Sequence, residues 1–155
     1  MRTVIFATAL AAAISPLSFA QSCDSEPTMA GHRTANGAVR AQYNAVERAE
    51  WANVLHIGEG LVGGGQSARD RTATYSNLCA GYAATGDTDA AIAACDMALE
   101  LRNNAWRALN NRGAAHWLAG NREAAAADFR AAEASSSGED EVTANLALIT
   151  CTSAS

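Results

Sequence analysis

The chain contains no lysine: its eleven cationic side chains are all arginine, against sixteen acids, for a formal net charge of −5 at neutral pH. That balance argues against a cationic face for a nucleic-acid backbone, and against the polybasic patch of a membrane-surface protein. Proline is almost missing. Pro16 and Pro27 both lie near the N-terminus, so nothing downstream interrupts a helix. Aromatics make up only 6% of the residues, and alanine supplies half of the apolar content. Alanine loses no side-chain entropy in a helix and is its best former. The class is all-α.

Catalytic and metal signatures are also lacking. His32, His56 and His116 stand apart without H-x-x-x-H spacing, and there is no C-x-x-C pair. No G-x-S-x-G elbow, P-loop or dinucleotide fingerprint occurs. Gly63-Gly64-Gly65 is not followed by the Lys-Ser/Thr of a phosphate loop and reads as a flexible linker. The chain is therefore read as a non-enzyme, with no catalytic residue, cofactor or metal assigned.

The N-terminus carries an export signal. Met1-Arg2-Thr3 gives a positive start, Val4 to Ile14 is apolar and uncharged, and Ser18-Phe19-Ala20 offers small residues to a signal peptidase. Residues 1–20 are read as a signal peptide cleaved after Ala20; the apolar run is about half the ~20 residues that span a bilayer as a helix. Ala20-Gln21-Ser22 lacks the leucine-like residue that lipidation of Cys23 would require. Loss of Arg2 leaves ten arginines against sixteen acids, a net charge of −6. The expected location is the periplasm or the exterior, without membrane insertion after cleavage. There Cys23, Cys79, Cys95 and Cys151 favour bridges over catalytic thiols, and four cysteines allow three pairings.

From Thr72 the chain nearly repeats itself. Gly86 and Gly120, Ala91 and Ala125, Ala98 and Ala132, and Asn77 and Asn111 all share one offset of 34, which continues to Asn145. A 34-residue period, with helical patterning on both sides of a glycine turn, is the mark of a helix–turn–helix repeat. The spacing predicts helices over 72–84, 88–101, 105–118 and 122–134, with Asp87 or Thr88 capping the second. Ser135-Ser136-Ser137-Gly138 is a polar break. Residues 140–150 then form a last helix with Leu146 and Ile149 on one face, and 139–150 reads as the cap of the stack. Upstream, 37–66 reads as a degenerate first hairpin and 21–36 as a disordered leader.

Tyr75, Leu78, Cys79, Tyr82, Gly86, Ala91, Cys95 and Ala98, then Leu109, Arg112, Gly113, His116, Gly120, Ala125, Phe129 and Ala132, fill successive signature places of a known pattern. In them the chain resembles the tetratricopeptide repeat family over 72–138, an α-solenoid of paired helices. It departs from the pattern at Arg112, at His116 and in lacking the late proline. Cys79 and Cys95 fall where the second hairpin has Gly113 and Phe129, small beside large, so a Cys79–Cys95 disulfide is expected. Cys23 and Cys151 are the leftover pair. Leu78 and Ala94 are replaced by Arg112 and Asp128, an opposite-charge pair that implies contact.

The resemblance implies a concave groove lined by the first helix of each repeat. Carried over, the partner-binding residues are Ser76, Asn77, Arg107, Asn110, Asn111, Trp117 and Leu118. Asn77 and Asn111 offer donor and acceptor to a ligand backbone. Trp117 is read in two ways, as a groove anchor or as packing against the terminal helix. The function these features point to is binding of a partner protein or peptide through the groove. Self-association through the stack ends is a variant of it. The other readings are an accessory or inhibitory subunit of an exported enzyme or envelope complex, and, more remotely, a small helical enzyme or metal-binding protein.

Overall fold

The computed structural model describes residues 25–152; the signal-peptide reading and Cys23 lie outside them. An extended strap, 25–34, leads into seven helices: α1 (Gly37–Glu47), α2 (Trp51–Leu61), α3 (Ala68–Ala84), α4 (Thr88–Leu101), α5 (Trp106–Leu118), α6 (Arg122–Ser135) and α7 (Asp140–Thr152). No strand ladder forms among the described residues. Each helix packs on the next, and α1 on α3, α3 on α5 and α5 on α7. This is a short α-solenoid: three hairpins and a closing helix, with the odd-numbered helices side by side.

Local chemistry sets the helix ends. The side chains of Asp87 and Asn121, 34 residues apart, each accept the backbone N–H three residues on, from Ala90 and Ala124, at 3.1 and 3.2 Å. Gly86 and Gly120 close the preceding helices at φ 87° and 80°, and a Cβ at either would meet open space. Their glycine is required by backbone conformation. Gly113 answers the opposite need: a Cβ there would lie 2.7 Å from ring atoms of Phe129.

At the matching places in α3 and α4, Cys79 and Cys95 form the expected disulfide, with Cα atoms 5.3 Å apart. Both cysteines are fully buried in an alanine-rich cluster. Arg112 meets Asp128 through two hydrogen bonds, Nε–Oδ2 at 2.8 Å and Nη2–Oδ1 at 2.7 Å. Its Nη1 also reaches Asp96 at 2.7 Å. Cys151 is disulfide-bonded.

The first hairpin is formed by α1 and α2. Its turn has no glycine: Ala49 itself takes a positive φ of 52°. A six-residue loop, 62–67, then separates α2 from α3, where only 102–105 separate α4 from α5.

The disordered leader is a correction. Residues 25–34 lie extended along the odd-numbered helices, with Pro27, Ala30, Gly31 and Thr34 buried. Their backbone polar groups find fixed partners there, which removes the advantage of remaining solvated.

Candidate functional site: an asparagine ladder in the groove

Asn77 on α3, Asn111 on α5 and Asn145 on α7 are fully buried at the same place in successive odd-numbered helices. Each grips both polar groups of one strap residue. Asn145 Oδ1 accepts from the N–H of Thr28 at 2.8 Å, and its Nδ2 donates to the Thr28 carbonyl at 2.8 Å. Asn111 does the same to Ala30 at 2.7 and 2.9 Å, and Asn77 to His32 at 2.7 and 3.0 Å.

The arithmetic of the two lattices explains the match. In an extended chain the N–H and C=O of alternate residues point the same way, and two residues advance roughly 7 Å. Packed helix axes lie about 8–10 Å apart, with side chains converging on a concave side. One asparagine per repeat therefore meets every second strap residue. The strap runs from α7 back to α3, against the helix order, and delivers the chain to the start of α1.

The ladder is tied sideways as well. Asn145 Nδ2 donates to Asn110 Oδ1 at 2.9 Å, Asn111 Nδ2 to the Ser76 carbonyl at 3.0 Å, and Asn77 Nδ2 to Gln42 Oε1 at 3.4 Å. Gln42, fully buried on α1, bridges on to the carbonyls of Val54 and Thr74, each at 3.3 Å. Asn110 adds a second donor to the Thr28 carbonyl at 3.0 Å, and Arg107 Nε donates to the Gly31 carbonyl at 2.8 Å.

Of the residues assigned to the groove from the sequence, Asn77, Asn110, Asn111 and Arg107 touch the strap directly. Ser76 joins through its carbonyl; its own Oγ is buried and has no hydrogen-bond partner. Leu118 is partly exposed and borders a cleft beside Glu26, Pro27 and Met29. Trp117 is corrected as a groove anchor. It is 6% exposed, clusters with Phe129, Leu148 and Ile149, and is covered by the Arg122 guanidinium 3.5 Å from the ring centroid. The packing reading holds, because α7 lies against α5 there.

Asn145 and Gln42 were not assigned to the site. The first was visible in the 34-residue register. The second follows an offset of 35 in a hairpin with no glycine turn. Met29 was missed altogether; it packs against both the α3–α4 and the α5–α7 clusters.

Shape also seats the strap. Ala30 is fully buried, and a Cβ on Gly31 would lie 2.8 Å from Glu47 Oε1 and 2.9 Å from the Tyr43 ring. The groove as filled takes a bulky apolar residue, then a small one, then glycine, with main-chain bonds indifferent to the rest.

Among the described residues no cluster of His, Cys, Asp and Glu has metal-binding geometry, and no helix is long and apolar enough to cross a membrane. Compared with protein-family models and with curated proteins, the sequence matches none.

Proposed function

We propose that this is an exported, tetratricopeptide-type module that binds an extended segment of a partner protein or peptide in its groove. In the state described here, its own strap occupies that place. One observation carries the reading: Asn77, Asn111 and Asn145 hold His32, Ala30 and Thr28 by their peptide groups. Such recognition serves any extended chain whose side chains fit, so the strap is an internal stand-in for the partner segment. The three buried amides also favour exchange over simple opening. A dry, unpaired amide costs about 1–3 kcal/mol, so another backbone, or water, replaces the strap when it leaves.

Tethering gives the strap a millimolar-scale effective concentration, so a partner binds well only when the strap is released or its own segment fits better. Self-association is the same exchange between two copies. Export is supported by the apolar N-terminal run and by the Cys79–Cys95 disulfide, which suits an oxidising compartment.

Gly31→Val provides the test, since its side chain strikes Tyr43 and Glu47 without altering the asparagines. With the strap loosened, a labelled peptide of residues 25–34 should bind the variant more tightly than the wild type. Adding Asn111→Ala to the variant should abolish that gain. Equal, weak binding by all three proteins would count against the groove as a binding site.

A further inference from the structure

Beyond the groove, a polar cavity of about 600 Å³ lies where the strap meets the N-terminus of α3 and the α4–α5 turn. Arg33 and His32 enter it from the strap, Arg69 from α3, Arg102 from the end of α4, and Arg107 and Trp106 from α5. The chain is acidic overall, yet four arginines converge on this one cavity.

Elsewhere three arginines have fixed partners. Arg112 is paired with Asp128 and Asp96, Arg48 with Glu50, and Arg122 lies on Trp117. Among the described residues, none of Arg33, Arg69, Arg102 and Arg107 forms an ion pair. Two are instead fixed by neutral neighbours. Arg107 lies 4.1 Å from the Trp106 ring centroid and spends Nε on the Gly31 carbonyl; Arg102 spends Nε on Asn104 at 3.2 Å. Their terminal nitrogens remain to be used. His32 Nδ1 is buried with no hydrogen-bond partner.

Glu47, Glu139 and Glu141 share the walls. Glu139 accepts from Ser136 Oγ at 2.7 Å, and Glu47 lies against Tyr43 and over Gly31. Around the imidazole itself the surroundings are cationic: burial and then Arg107, Arg102 and Arg69 push His32 down to about 4.

We infer that this cavity is a binding site for a small oxyanion of the phosphate class, inorganic or carried as a monoester. Guanidinium forks pair with two oxygens at once. Four of them exceed what a single carboxylate accepts and suit a tetrahedral group with three or four oxygens. Because Gly31, His32 and Arg33 belong to the strap, the site is complete only with the strap seated. The anion then stabilises that state by mass action. The inference needs no partner in the groove and stands or falls separately.

The test uses the full chain, with thermal unfolding at neutral pH and a His32 ring NMR titration carried from neutral pH to below its folded pKa, each against inorganic phosphate, sulfate, glycerol phosphate, acetate and chloride at constant ionic strength. Phosphate and sulfate should raise Tm saturably by several degrees, with acetate and chloride giving little. Sulfate, whose charge is constant over the range, should raise the His32 pKa from about 4 toward its ordinary value. A response to glycerol phosphate equal to that of phosphate shows room for a monoester; its loss restricts the site to the inorganic ion. Arg69→Gln with Arg102→Gln leaves Arg107 on the strap and should remove the response and the His32 shift. Equal responses to chloride and sulfate, or an undiminished response in the double variant, would overturn the assignment.

Discussion

Asn111 holds Ala30 at both ends of its peptide plane, Oδ1 to N at 2.7 Å and Nδ2 to O at 2.9 Å, with both residues fully buried. Its Nδ2 also serves the Ser76 carbonyl on the neighbouring helix. Asn111→Ala therefore leaves several buried groups unpaired at once, and should destabilise the protein by about 3 kcal/mol. Hydrogen exchange should show protection lost first at strap amides 28–32 while α3 and α4 stay protected. Asn111→Asp separates the two functions, keeping an acceptor for Ala30 N–H and losing the donor. A strap equally protected in wild type and Asn111→Ala would show that the ladder does not hold it.

The solenoid was legible because its causes repeat. Gly86 and Gly120 need positive φ, Ala91 and Ala125 need close approach, and both needs recur every 34 residues. The first hairpin was legible only through its helical spacing: its turn uses Ala49 at φ 52° and a longer loop precedes α3, so the 34-residue register does not extend to it. The strap hid for a different reason. Residues 25–34 have neither strand alternation nor helical period, and their order is imposed by asparagines up to 117 residues away. Sequence gave those asparagines the right chemistry, backbone recognition, but not the identity of the backbone. Trp117 shows the limit of carrying a role over by position, since α7 covers the place that an open groove would expose.

The disulfide replaces a small–large packing pair. Cys79 and Cys95 close a loop with a sequence separation of 16, worth about 3 kcal/mol in the chain-entropy model. Cys79→Ala with Cys95→Ala should lose about that much and leave a void beside the α3–α4 alanines. Cys79→Gly with Cys95→Phe copies Gly113 and Phe129, and should recover roughly 1–2 kcal/mol through the buried ring. Urea unfolding of both variants orders them. If the alanine pair is the more stable, the two hairpins do not pack alike.

Arg112 and Asp128 offer the complementary swap. The Asp128 side chain is 9% exposed and that of Arg112 26%. Arg112→Leu alone strands a buried carboxylate and should cost on the order of 2 kcal/mol, below the full cost of breaking a buried pair because Arg112 still reaches water. Arg112→Leu with Asp128→Ala recreates the Leu78–Ala94 arrangement and should come within about 1 kcal/mol of wild type. A double-mutant cycle measures the coupling. Costs that simply add would mean that the two side chains act independently.

Acid should release the strap through His32. Burial, followed by Arg107, Arg102 and Arg69, holds the folded imidazole at about 4, against 6.5 when free. Between those values the released or unfolded chain takes up a proton that the seated strap refuses, so stability falls as pH is lowered. The contribution is intact above about pH 6.5, declines through pH 5 by roughly 2 kcal/mol, and is lost in full near pH 4. Strap amides should therefore exchange faster at pH 5 than at pH 7 after correction for intrinsic rates, while α4 and α6 change less. His32→Gln removes the titrating group and keeps the backbone contacts to Asn77, so its strap protection should be nearly flat over that interval. A strap whose protection stays constant in the wild type, or falls equally in His32→Gln, would assign the acid response to another group.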